Sequence, residues 1–345
     1  MKIFFNSSLW SKGKGCHGSP QKANLQFEYS GTKRCIPIIY RFPRGIVFDV
    51  ITILDESKLR TFYEKYEHIQ NKMTSVQKRS MRQENPFQNI SLQEIRINGK
   101  KTDDGFSSSS MMCIPWLKED VNVLEDIKKE YAEYLKGRDC FAIERFCVRY
   151  PKSDSIFQKL LRFIWPEHVN RLHMTTEPHR HYDPLDITIH MSTRQKEEHN
   201  ISFAHPLTGM EHTLYLQQLT PFELPLGNKE TNTGFQIYQA SYEISPPLSK
   251  GETLMFDNRL DMVGDVSIGH KEQKQASAIG IIGGADGPTS IIVGKKENHV
   301  HCGKHGFPLS FCYSIPSDHR LDTVSFVIQG IERTEPKGKE YGFIL

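Results

Sequence analysis

Residues 36–54 read IPIIYRFPRGIVFDVITIL. Two runs of β-branched and aromatic residues, Ile36 to Phe42 and Gly45 to Leu54, flank Pro43-Arg44. Side chains of this kind fit a pleated, packed surface, so the stretch reads as a β-hairpin that gives the N-terminal half its sheet. From Leu59 onward the period changes. Phe62, Tyr63, Tyr66, Ile69, Met73 and Val76 recur at three and four residues, which predicts one helix with a buried stripe, and Asp55 is placed to cap it.

Ile90 to Ile97 predicts another strand, followed by the turn signal Asn98-Gly99. Gly105 to Ser110 reads as a small polar loop. A second amphipathic helix is expected from about Lys118 to Lys136, with Leu124, Ile127, Tyr131, Tyr134 and Leu135 on one face and Gly137 to stop it. Phe141 to Tyr150 resumes as strand, and Ser153 to Trp165 reads as a short helix ended by Pro166.

Past Pro166 the pattern becomes short strands punctuated by Pro, Gly and Asn: Ile187 to Met191, Ile201 to His205, His212 to Leu219, Gln236 to Ile244 and Thr323 to Ile328. Pro206-Leu207-Thr208-Gly209 joins two of them as a hairpin turn, a connection open to antiparallel strands only. The fold class expected is α+β and soluble, mainly antiparallel sheet with two or three amphipathic helices. The expected organisation is an α+β lobe over 1–165 and a mainly antiparallel β lobe over 166–345, with a single domain as the alternative.

The chain has 345 residues and a formal net charge of +3, with 37% hydrophobic and 25% charged residues, enough apolar side chains to bury a core. Its 44 Lys and Arg and 41 Asp and Glu are interspersed, which argues against a dedicated nucleic-acid surface. The seven cysteines are odd in number, scattered and without a CxxC pair, as expected of reduced thiols in a cytoplasmic protein. MKIFFNSSLWSKGKG turns polar too soon for a signal-peptide core, and no window supplies the roughly 20 apolar residues of a spanning helix without glycines, a proline or a charge.

Residues 276–294 read ASAIGIIGGADGPTSIIVG. This segment resembles the β subunit of the sodium-translocating carboxylic-acid decarboxylases of the oxaloacetate and methylmalonyl-CoA type; the rest of the chain carries no such likeness. The resemblance implies a cation site in which Asp286 is the ligand, Gly283 and Gly284 let backbone carbonyls approach, and Thr289 adds a hydroxyl. It implies Na⁺ binding, or association with a decarboxylase, and not transport by this chain alone, because the family's segment lies among membrane helices. The residues argue in the same direction by themselves: an ionised carboxylate in an apolar setting needs a cation or donors, and a hard cation prefers oxygen ligands. Ala285-Asp286-Gly287-Pro288 is equally a good turn between two short strands, in which Asp286 orders the turn.

Thirteen of the fifteen histidines follow residue 167. His173, His179, His181, Asp183 and His190 form one cluster, whose HxH pair would project from one face of an extended chain and begin a metal site. His299, His301, Cys302 and His305 form a second, compact one. Neither spacing matches a zinc finger or an HExxH helix, and histidines in polar loops are commonly surface residues. Cys302 beside His301 is the nearest approach to a nucleophile and base. The cations Lys58, Arg60, Lys65, Lys72, Lys78, Arg79 and Arg82 are offset by Glu56, Glu64, Glu67 and Glu84, which reads as a solvated face.

Three functions therefore stand as expectations: a relative of the decarboxylase β subunit holding Na⁺, a non-catalytic binding protein with a protein partner, and a metal-dependent enzyme built on His179, His181 and Asp183. On physical grounds the second is preferred.

Overall fold

The hairpin expected at 36–54 forms, and a strand precedes it. In the computed structural model β1 (Ser19–Tyr29), β2 (Thr32–Phe42) and β3 (Gly45–Ile53) make an antiparallel meander, with Phe42 opposite Gly45 across Pro43-Arg44. The described residues are 3–9, 15–66, 68–69, 73–102, 105–116, 121–151, 166–194, 197–224, 235–257, 302–314, 317 and 319–345. They divide into two units, one of Met1–Asn71, Glu84–His179 and Glu335–Leu345 and one of Lys72–Gln83 and Arg180–Thr334. The passage between the two large segments thus comes after His179, where the change of pattern suggests 165.

In the first unit Asp55 caps α1 (Glu56–Tyr66) as expected: its Oδ1 accepts from the backbone N–H of Ser57 at 3.0 Å and of Lys58 at 3.2 Å. The helix predicted to run from Leu59 through Val76 ends there. Met73 lies before a separate helix, α2 (Ser75–Glu84), which contains Val76, and the apolar spacing bridges the break because both helices bury residues independently. β4 (Leu92–Ile97) and β5 (Lys100–Lys101) close around Asn98-Gly99, whose φ angles of +51° and +82° are those that Asn and Gly tolerate best.

The serine-rich stretch expected as a loop is instead the edge strand β6 (Phe106–Cys113), paired along its length with β7 (Phe141–Arg149). Ladder bonds use backbone groups, so an edge strand with a long partner tolerates Ser107 to Ser110. The second amphipathic helix is α3 (Val121–Glu130) followed by α4 (Ala132–Leu135), stopped by left-handed Lys136 and Gly137. The expected helix at Ser153 to Trp165 lies outside the described residues.

The sheet order is β1-β2-β3-β7-β6. One face packs on a second sheet, β17-β8-β4-β5, formed with β8 (Arg171–Thr176) and β17 (Glu340–Ile344). Phe48, Val50, Phe146 and Val148 meet Ile95, Ile97, Leu172 and Met174 there. The other face is covered by α3 and α4 through Ile127, Tyr131 and Leu135, the stripe read from the sequence. Because β3 and β7 are covered on both faces, their residues are buried along nearly the whole run rather than in alternation.

The second unit is a sandwich. Its first sheet is β14-β16-β9, from β9 (Arg180–Ser192), β14 (Glu252–Phe256) and β16 (Thr323–Thr334). The second is β10-β11-β13-β12, from β10 (His199–Ala204), β11 (Glu211–Leu216), β12 (Thr220–Leu224) and β13 (Phe235–Ser245), with β15 (Ser310–Tyr313) also on β13. Phe326, Ile328 and Leu254 from one sheet pack with Leu214, Tyr238, Ala240 and Tyr242 from the other. α2 joins this unit through a stripe at i, i+4 and i+8. Ser75 bonds Asp257, Arg79 bonds Gln329 and stands 5.8 Å from the Tyr182 ring, and Gln83 accepts from the Tyr182 N–H at 2.7 Å.

Among the described residues every ladder is antiparallel, and helices are few. Among the described residues no helix is long and apolar enough to cross a membrane.

Candidate functional site

Among the described residues the first unit buries two ion pairs, one on each face of its central strands. Asp49 stands directly opposite Arg145 in the β3–β7 register, and its two oxygens take Nε and Nη2 of the guanidinium at 2.7 Å each. Tyr131, held at the α3–α4 junction, donates its hydroxyl to Asp49 Oδ2 at 2.6 Å. Burial works against the Arg145 charge, yet Asp49 outweighs it and holds the guanidinium above its ordinary range, while burial and the same carboxylate push the Tyr131 hydroxyl well up.

On the opposite face Arg34 donates to Thr52 at 2.9 Å, to Glu144 at 3.0 Å and to the Gln88 carbonyl at 2.7 Å. Glu144 also accepts from the Ile90 N–H at 2.7 Å, so the pair pins the chain that enters β4. Here burial prevails: it lowers Arg34 and raises Glu144 despite their contact. Both pairs are spent on holding elements together.

The outer face of the second unit's larger sheet differs in carrying exposed aromatic side chains beside buried groups. Tyr238, Ala240 and Tyr242 of β13 enter the core, so Ile237, Gln239, Ser241 and Glu243 lie on the other face. Register places Phe222 beside Ile237, Tyr313 beside Gln239, Phe311 beside Ser241 and Tyr215 beside Glu243. Phe311 is 53% exposed and Phe222 39%. Glu243 is fully buried because the loop after Cys302 folds over it: its oxygens accept from the N–H of His305 and of Phe307, each at 3.0 Å, and from Gln217 at 3.3 Å. Gly303 must be glycine, since a Cβ there would stand 2.1 Å from Glu243 Oε1. The His305 ring stacks on Tyr215 at 4.0 Å and bonds both Glu198 oxygens through Nε2 at 2.9 Å.

Among the described residues, those singled out in the sequence are dispersed. Asp286, Gly283, Gly284, Thr289, His299 and His301 lie outside the described residues. Cys302 is exposed and bridges to Pro308, while His305 belongs to the loop just described. The stretch carrying His181 and Asp183 is indeed extended, as β9, and the two alternate onto one side of it. Asp183, however, is committed to Arg333 Nε at 3.0 Å, and the His179 carbonyl takes the Glu335 N–H at 2.9 Å. His173 approaches Glu340 at 3.6 Å and His190 bonds Ser325 at 2.8 Å. Among the described residues no three His, Cys, Asp or Glu side chains are grouped to hold a metal ion. Of the helical cations, Arg60 pairs with Glu56 and lies 4.0 Å from the Trp116 ring, and Lys65 pairs with Glu84.

The buried charges went unmarked in the sequence, although Asp49 inside GIVFDVITIL and Glu144-Arg145 inside FAIERFCVR carry a visible signal. A charge within a run apolar on both faces must be paired. Nothing comparable marks Glu243. Set against family models, curated proteins and solved structures, the chain matches none.

Proposed function

We propose that this chain is a non-catalytic binding protein that takes a protein partner on the outer face of β12, β13 and β15. The observation that carries this reading is the exposure of Phe311 and Phe222 on a face whose remaining groups are locked. Aromatic side chains on rigid backbone give large contact area at little entropic cost and are enriched where partners dock. Asp49, Glu144 and Glu243 support the same reading: each carboxylate is occupied by arginine or backbone donors, which is a structural use.

A photo-crosslinking phenylalanine analogue at position 311, irradiated in extract of the protein's own cells, tests it. The expected result is a discrete adduct that Phe222→Ser weakens. Labelling no stronger than from the exposed control position Arg194 would sink the reading.

A second reading is favoured by the sequence ASAIGIIGGADGPTSIIVG alone: Na⁺ held by Asp286, Gly283, Gly284 and Thr289, as the resemblance to the decarboxylase β subunit implies. A ligand that binds only the folded chain stabilises it by about 2.7 kcal/mol at a hundred times its Kd. Thermal unfolding in Na⁺ against K⁺ at matched ionic strength should then show a sodium-selective rise that Asp286→Asn abolishes. Identical melting in both salts removes this reading.

A further inference from the structure

The turn joining β10 to β11 is capped by a histidine ring. His205 is 3% exposed, and its Nδ1 accepts from the backbone N–H of Leu207 at 3.2 Å and of Thr208 at 3.4 Å. An Asn or Asp side chain commonly caps a turn in this way, with an oxygen that stays an acceptor. An imidazole nitrogen that accepts must carry a lone pair, which fixes the single ring proton on Nε2. That nitrogen has no hydrogen-bond partner, although Glu252 Oε1 of β14 lies 3.5 Å away.

A second proton would have to enter at Nδ1. It would turn the acceptor into a donor facing two backbone donors. The imidazolium would at the same moment gain the nearby carboxylate, whose other oxygen is already fixed by the Ser249 N–H at 3.0 Å. Arg333, opposite Glu252 in the ladder, is engaged with Asp183 and leaves that carboxylate available. His212 of β11 also faces the ring, with centroids 6.0 Å apart; its Nδ1 lies 2.7 Å from the Pro246 carbonyl and donates to it.

We propose that His205 is a proton-operated latch. Neutral, it caps the 205–210 turn; protonated, it leaves Leu207 and Thr208 and swings to Glu252. The ladder below, six pairs from His199↔Leu216 to Ala204↔Glu211, is unaffected, so the change is confined to the tip that carries Leu207 and Met210, 57% and 52% exposed. Acid drives the latch, because a second ring proton converts the acceptor facing the Leu207 and Thr208 amides into a donor.

Amide hydrogen exchange followed by NMR from neutral pH into acid tests the latch on the full chain. Protection of the Leu207 and Thr208 amides, corrected for the intrinsic rate, should fall about tenfold on acidification while the β10–β11 ladder amides hold, the scale of one lost hydrogen bond. His205→Asn keeps an acceptor that does not titrate and should make the tip insensitive to pH, while Glu252→Gln should move the transition to lower pH. Nitrogen shifts of the wild-type ring give an independent reading, with a bare Nδ1 at neutral pH that gains its proton in acid. Tip protection that stays level with the ladder, or a ring already protonated at Nδ1 at neutral pH, would overturn the proposal.

Discussion

Replacing Asp49 with alanine is expected to destabilise the first unit by about 3–5 kcal/mol, the range for removing one partner of a buried ion pair. The substitution leaves Arg145 with its charge in a site where both residues are nearly inaccessible, and it strands the Tyr131 hydroxyl as well. Tyr131→Phe should cost about 1.5–3 kcal/mol, the range for a hydrogen bond to a charged group. Asp49→Leu combined with Arg145→Met should be milder than Asp49→Ala, because an apolar pair needs no compensation. Trp116, the tryptophan among the described residues, falls within the first unit, so urea unfolding followed by tryptophan fluorescence reports on that unit. A loss under about 1 kcal/mol for Asp49→Ala would mean that Arg145 is rescued, for instance through the Ser8 carbonyl it already reaches at 3.2 Å, and that the pair's role is minor.

The same residues explain what the sequence discloses. Gly45 to Ile53 and Phe141 to Arg149 are apolar runs with isolated charges, and a strand covered on both faces writes itself in that way. The helical stripe Ile127, Tyr131, Leu135 is legible because one face alone is buried. β6 is not legible, since Ser107 to Ser110 have no preference for a strand and are held by their register with β7. β8 and β17 are 163 residues apart where Thr176 meets Lys339, and no local pattern announces so distant a partner. The break between α1 and α2 hides for the opposite reason: the spacing of three and four persists while the second helix docks through Ser75, Arg79 and Gln83, polar side chains that read as solvated.

For the candidate site the gap is wider. Histidines stand out by number, yet His181 and Asp183 serve a strand whose carboxylate goes to Arg333, and His205, inconspicuous in SFAHPLTGM, is a ring in a defined chemical setting. Hydrogen-bond roles depend on where the backbone turns, which residue type and spacing do not encode. Exposed aromatics follow the same logic, because Phe311 and Cys312 are both apolar and only the register decides that one faces outward and the other enters the core.

Glu243→Ala carries the second large effect, about 3 kcal/mol or more, because it removes a buried acceptor from several donors, each costing about 1–3 kcal/mol when left unsatisfied. The N–H groups of His305 and Phe307 and the amide of Gln217 would have no partner, and the loop from Cys302 to Pro308 would lose its attachment to β13. Glu243→Gln keeps one acceptor oxygen but turns an amide toward backbone donors, so it should fall between wild type and alanine. The loss should appear first as exchange of the His305 and Phe307 amides, well before the β11–β13 ladder opens, since local openings cost less than global unfolding. If the photo-adduct at position 311 disappears in Glu243→Ala while the ladder stays protected, the loop is part of the recognition face; if the adduct persists, recognition rests on Phe311 and Phe222 and the loop only fills space beside them.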